Sequence, residues 1–209
     1  EKVSFTDNII INKKLAQPYI AVDDVSGIQF KGNKVQLSKN YSAPGFITEK
    51  VKVPQLPDNT VIRKDKGASW FTNQVAQSTT NAHKECNVSP GTNLSEIVHS
   101  LEPGSIIILP KGTYPIQRSI LIDKPLTIRA ADPGNKPLIR FNGDKPDNMV
   151  TIADGGELKI ENIAFDGVLE PGKALAKAGI STAFDMIQPY TLTVDGCEFQ
   201  NFGEGGFFA

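Results

Sequence analysis

Three arginines, Arg118, Arg129 and Arg140, fall near the ends of short apolar runs, where a planar guanidinium could grip the carboxylates of an acidic sugar chain. Arg129 and Arg140 are the substrate-binding candidates, expected on neighbouring faces of the fold. Trp70, beside Phe71 in a polar stretch, is a third, since an indole face can stack on a sugar ring. Each has a plainer reading: the arginines as a solvated outer face, and Trp70 as an anchor for a connecting segment. Asp144, Asp147 and Asp154 lie among Gly and Pro and offer the oxygen ligands calcium uses, but turn formation accounts for them as well. His83 lacks a spaced partner for a metal, His99 reads as a surface residue, and no Ser/His/Asp or Cys/His constellation or phosphate-binding glycine loop stands out. The chain therefore offers no catalytic residues, no metal ligands and no cofactor site of its own, only candidate sugar contacts.

The elements that would hold these residues announce themselves by repetition. LKIENIAF, from Leu158 to Phe165, returns as LTVDGCEF (Leu192 to Phe199), IQFKGNKV (Ile28 to Val35) and VSFTDNII (Val3 to Ile10). The first three letters alternate as in a half-buried strand, and the fifth is Asn, Gly or Asp, the residues that enter the left-handed region most easily. The pattern describes a strand, a one-residue corner and a second strand. The sixth position, held by Ile163, Cys197, Asn33 and Asn8, should then point inward, and stacked Asn side chains there can bond one another and the corner backbone. Strand, corner and strand at intervals is the pattern of a solenoid.

Spacing supports this. Phe5 and Phe30 are 25 residues apart, about one coil of a three-sided parallel β-helix. Strands are expected at Ile106 to Leu109, Ile120 to Ile122, Leu126 to Ile128, Leu138 to Phe141, Val150 to Ile152, Leu158 to Ile160, around Phe184 to Ile187, and Leu192 to Val194. Ile106 to Leu138 and Ile128 to Ile160 each span 32 residues, and Ile152 to Met186 and Ile160 to Val194 each span 34, so each coil is read as three strands plus loops. DPGNKP (Asp132 to Pro137) and LEPGKALAKAG (Leu169 to Gly179) are read as corner decorations. Before the first of these strands, Leu94, Ile97, Val98 and Leu101 follow helical spacing behind Asn93 and Glu96, which predicts a short amphipathic helix covering the end of the core.

Composition agrees with an all-β fold and excludes other classes. In 209 residues there are 18 glycines and 14 prolines, too many punctuators for a helical bundle. With 22 basic and 23 acidic residues the net charge of -1 gives no electrostatic case for nucleic acid or an anionic membrane surface. No apolar run approaches a membrane span, and the opening EKVSFTDNIII is patterned as a coil and not as a signal peptide. Two cysteines, Cys86 and Cys197, are expected to be reduced. The expected organisation is 1–40 as the last coils of one β-helix, 41–90 as a Pro-rich and polar linker, and 91–209 as the start of a second β-helix, the chain being cut from something longer at both ends.

The stretch SLEPGSIIILPKGTYPIQRSILIDKPLTIRAADPGNKPLI resembles the opening coils of β-helical polysaccharide lyases, in particular polysaccharide lyase family 6, the alginate lyase and chondroitinase B-like family. The phrase PGxxIxLxxGxY carries the likeness and also occurs in looser form in pectin lyase-like β-helices. The resemblance implies an all-β, right-handed parallel β-helix, in a two-domain arrangement with a catalytic first domain. It implies β-elimination on a uronate polymer, alginate first among them, by a Lys and Arg pair, with calcium held by acidic residues in many members. Those residues belong to middle coils of the first domain, and none is carried over to this chain. The resemblance also implies a secreted or periplasmic protein whose partner is an anionic polysaccharide. Alternatives are a non-catalytic carbohydrate-binding module or one that docks domains or pairs two protomers, and, from another class, the structural β-helix of a surface adhesin.

Overall fold

The computed structural model describes residues 2–12, 20–23, 28–37, 46–49, 60–61, 84–184 and 186–208. In chain order the first strands are β1 (Lys2–Thr6), β2 (Ile9–Asn12), β3 (Ile20–Asp23), β4 (Ile28–Lys31), β5 (Lys34–Leu37), β6 (Phe46–Glu49), β7 (Thr60–Val61) and β8 (Glu85–Asn87). The helix α1 (Leu94–Ser100) follows, then β9 (Ser105–Leu109), β10 (Thr113–Ile116), β11 (Ile120–Ile122), β12 (Pro125–Ala130), β13 (Leu138–Phe141) and β14 (Val150–Ile152). The last strands are β15 (Glu157–Glu161), β16 (Ala164–Asp166), β17 (Ala178–Thr182), β18 (Thr191–Asp195), β19 (Glu198–Gln200) and β20 (Gly205–Phe208). Every strand pairing is parallel, and successive strands visit three sheets in turn, which is the topology of a parallel β-helix.

The first sheet runs β4-β1-β18-β15-β12-β9-β8, the second β10-β13-β16-β19-β2-β5-β7 and the third β11-β14-β17-β20-β3-β6. The coils of residues 2–37 thus share all three sheets with those of 105–208, β1 stacking on β18 in the register Val3↔Leu192 and Phe5↔Val194. Within 41–90, the stretch expected as a linker, the described pieces β6, β7 and β8 pair with β3, β5 and β9.

The corner motif behaves as its letters require. All four fifth positions lie in the left-handed region, Asp7 at φ 51°, Gly32 at 65°, Asn162 at 58° and Gly196 at 60°. They alternate Asx with Gly for a steric reason: a Cβ on Gly196 would come within 2.5 Å of Asn162 Oδ1, and one on Gly32 would strike Asp7. The left-handed turn swings the sixth position inward, and Asn8, Asn33, Ile163 and Cys197 are all fully buried. Asn8 is the hub of this ladder. Its Oδ1 accepts the Cys197 N–H (2.9 Å), and its Nδ2 donates to Asn33 Oδ1 (2.9 Å) and to the Val194 carbonyl (3.2 Å). Asn33 in turn donates to the Phe5 carbonyl at 2.7 Å.

Inside the coils, like stacks on like. Ile107, Ile128, Ile160, Val194 and Phe5 form one ladder of the first sheet, all essentially buried. Across the second sheet, Phe165 and Phe199 stack with ring centroids 4.9 Å apart and planes 3° apart, and Phe5 approaches Phe199 at 5.7 Å. Helix α1 forms where the spacing placed it. The Asn93 side chain accepts the Ser95 N–H (3.2 Å) and its amide donates to Glu96 (3.0 Å), while Leu94 and Val98 are buried against β10 and β11.

Two expectations are corrected. At the described residues 184, 186 and 187 there is no strand: the third-sheet strand is β17, and Ile152 pairs with Thr182, not Met186. Past Thr182 the chain leaves the sheet, Asp154 Oδ1 accepts the N–H groups of Ile187 (2.7 Å) and Gln188 (2.5 Å), and Phe184 and Ile187 stand 97% and 90% exposed. The apolar letters there mimic a strand, whereas AGIST, with its small residues, is the strand. Ile106 and Leu138 are likewise not equivalent, since Ile106 pairs with Thr127 and Leu138 with Thr113 and Ala164. Ile128 with Ile160 and Ile160 with Val194 do pair as read.

Replacing Phe199 by Ala should lower the stability by about 3–5 kcal/mol, because an aromatic ring leaves a core with no room to collapse. Replacing Asn8 by Ala should cost about 1–3 kcal/mol by leaving the buried Cys197 N–H without its acceptor. Urea titrations followed by circular dichroism check both; an Asn8→Ala midpoint equal to that of the unsubstituted chain contradicts the ladder.

Candidate functional site

The two candidate arginines point outward from different sheets, and the structure does not bring them together. Arg129, on β12, pairs with Glu85 of β8 at 3.0 Å, two half-exposed groups on the outer face of the first sheet. Such exposed pairs contribute little to stability. Arg140, on β13, faces out from the second sheet and meets two carboxylates: Asp166 Oδ2 at 3.7 Å to its Nε, and Glu170, which accepts a hydrogen bond from Nη2. Trp70 and His83 lie outside the described residues. Arg118 is exposed, and its carbonyl accepts from Ser95 Oγ at 3.4 Å.

The acidic candidates hold loops. Asp147 accepts the N–H of Ser119 on one oxygen (3.1 Å) and of Asn148 on the other (2.9 Å), and Asp154 caps the 183–190 loop as described; Asp144 is exposed. Carboxylates aimed at backbone N–H groups serve as turn acceptors, and among the described residues no three His, Cys, Asp or Glu side chains are grouped to hold a metal ion. These residues do not fit a calcium ion.

What sequence reasoning missed is the surrounding of Arg140. Strand β16 ends at Asp166, whose side chain is only 13% exposed and whose carboxylate accepts the Val168 N–H (3.0 Å) and the Asn201 amide (2.8 Å). Beyond it the loop 167–177 folds back, closed by the Ala176 N–H on the Gly167 carbonyl (3.0 Å), and carries Glu170 and Lys173 over the outer face of β13. The result is a cleft of about 220 Å³ lined by Thr113, Pro115, Arg140, Asn142, Glu170 and Lys173. Nothing in the spacing of Arg140 and Glu170 marked them as partners, because an irregular loop, not the coil repeat, joins them.

The cleft offers cations, a carboxylate and amide or hydroxyl groups. The cysteines are both free thiols. Cys197 is buried among apolar neighbours, and burial pushes its thiol up to about 12. Burial also raises the Tyr114 phenol, which shares its proton between the carbonyls of Val88 (3.0 Å) and Pro110 (2.9 Å).

No family model and no curated protein matches the chain. Solved structures do. The fold is that of β-helical proteins, and over 99% of its length the chain superposes on a PL6 family alginate lyase, AlyGC, with a TM-score of 0.50 and 24% identity, covering 32% of that chain. An arginine-to-alanine variant of the same enzyme matches over 98% of this chain and 33% of its own, with a TM-score of 0.48 and 24% identity. The chain thus spans about a third of the length of the solved structures it matches, and the likeness to the unsubstituted enzyme shows the fold.

Thiol chemistry tests the buried corner. At pH 8 a thiol reagent should modify Cys86 and leave Cys197 untouched until the protein is unfolded. An unfolded thiol loses its proton near 9.0, whereas folded Cys197 keeps it to about 12, so stability should be whole below pH 9 and fall as pH rises from 9 towards 12. In Cys197→Ala that decline should be shallower; equal slopes in urea melts across this range would show that Cys197 contributes none of it.

Proposed function

We propose that this chain is a segment of a polysaccharide lyase that cleaves an anionic, uronate-containing polymer, alginate first among them, by β-elimination, and that the segment is mainly structural. The observation that carries the reading is the superposition of nearly the whole chain on a third of an alginate lyase. It is supported by the wording of residues 100–139, which resembles the opening coils of the same family. β-Elimination needs a cation to neutralise the uronate carboxylate and a base to take the proton beside it. Here Arg129, Arg140, Lys136 and Lys159 all lie against carboxylates, Lys136 with Glu198 at 2.7 Å and Lys159 with Glu161 at 2.8 Å. These four cations are each engaged by an acidic neighbour, as suits a scaffold.

On this reading 1–40 belongs to a first, catalytic β-helix, 41–90 links the domains and 91–209 opens a second, and the stacking of residues 2–37 on β18, β19 and β20 in this structure is an end-to-end meeting of the two. The lysine, the arginine and any calcium belong to the first domain, and the parent protein is secreted or periplasmic. Among the described residues no helix is long and apolar enough to cross a membrane. The alternative of a carbohydrate-binding module draws on the Arg140 cleft. Pairing of two protomers is a further outcome that sedimentation of the chain would reveal.

Incubated with alginate, or with chondroitin or dermatan sulfate, the 209-residue chain should release no unsaturated product by ultraviolet absorbance. Clear turnover would overturn the structural role. Extending the chain upstream by one solenoid domain should restore activity on alginate.

A further inference from the structure

The cleft on β13 holds an arrangement that the scaffold reading does not use. Asp166, buried and fixed by two hydrogen bonds, already supplies a counter-charge to Arg140 from beneath. Its bond to the Val168 N–H accompanies a sharp turn in which Val168 adopts φ 68°, a left-handed conformation that a β-branched residue rarely takes. That turn starts the loop which brings Glu170 onto the solvent side of the same guanidinium. Arg140 therefore carries two carboxylates, and the second is half exposed, on a loop, where an incoming anion would sit. Lys173, from the same loop, reaches Asn142 Oδ1 at 3.4 Å, and exposed Thr113 with half-buried Pro115 completes the opposite wall.

We propose that this cleft binds one carboxylate-bearing sugar unit of an acidic saccharide, and that Glu170 occupies the carboxylate position until the ligand displaces it. A planar guanidinium backed by a buried Asp is held in place to meet a carboxylate in a fork. Lys173 gives a second cation, Asn142 and Thr113 supply groups for hydroxyls, and Pro115 offers an apolar face to the ring. The volume, about 220 Å³, is below that of a drug-sized pocket and suits a single ring instead of a run of the polymer. Glu170 acts as a built-in competitor, so affinity is held low unless the loop opens. The choice of a uronate as the ligand rests on the lyase reading; the cleft, and its preference for a carboxylate, do not.

The test is calorimetric titration of the full 209-residue chain with an alginate trisaccharide, a galacturonate trisaccharide and neutral maltotriose. An acidic trisaccharide should bind and maltotriose should not. Glu170→Gln should tighten acidic binding at least threefold, Lys173→Gln should weaken it at least twofold, and Arg140→Gln should abolish it. Should Arg140→Gln fail to fold by circular dichroism, Lys173→Gln, at a loop position, decides by the same criterion. Unchanged or weaker binding by Glu170→Gln, unchanged binding by Arg140→Gln, or equal binding of maltotriose overturns the proposal. Binding of galacturonate but not alginate keeps the cleft and removes alginate from the lyase reading.

Discussion

A coil that turns through one residue depends on that residue standing in the left-handed region, and the described structure hangs on this constraint. At Asp7, Gly32, Asn162 and Gly196 the turn admits only Gly or a short Asx side chain without strain, and it puts the next residue inside the core. That inward place is beside exposed-type backbone, so it must either satisfy polar groups or exclude them. Asn8 and Asn33 do the first, bonding to each other and to the carbonyls of Val194 and Phe5; Ile163 does the second. Cys197 lies between, its N–H satisfied by Asn8 and its thiol buried. Once the corner is fixed, strand register follows. A slip of one residue would turn the Phe5, Phe165 and Phe199 ladders outward.

The same constraint shows how residues 2–37 join the stack. An open β-helix end presents unpaired strand edges, which pair with whatever coil of matching register is offered. In this structure β1, β2 and β3 meet β18, β19 and β20, with Thr6 Oγ1 donating to Asp195 at 2.8 Å along the outer face and Asn8 closing the inner one. The likeness between VSFTDNII and LTVDGCEF is what makes them compatible neighbours.

Much of this was legible in the letters, because the corner restricts residue type so strongly that four copies could be aligned by eye. Helix α1 was legible for a similar reason, its cap and apolar spacing agreeing. The third sheet was not. Its strand β17 is written AGIST, small residues packed beneath Phe207 and Phe199, while the neighbouring loop holds Phe184 and Ile187 in the open. Strand β10 escaped because Pro115 interrupts it, which an edge strand of the second sheet tolerates. The Arg140 cleft was illegible for a different reason: Glu170 reaches Arg140 through a loop of unequal length, and repeat periodicity says nothing about where such a loop lands. Arg129 and Arg140 stand on strands of different sheets, and each meets its own acidic partners.

The coils stay in register only if the corners are core and not surface turns. Native-state hydrogen exchange resolved to single amides measures this directly. The N–H of Cys197, bonded to Asn8 Oδ1, and that of Asn8, bonded to Asn33 Oδ1 at 3.0 Å, should exchange as slowly as the flanking strand amides of Val194 and Phe199. Exchange of both at the rate of an exposed turn such as 132–135 would contradict the buried ladder and, with it, the stacking that holds the coils in register.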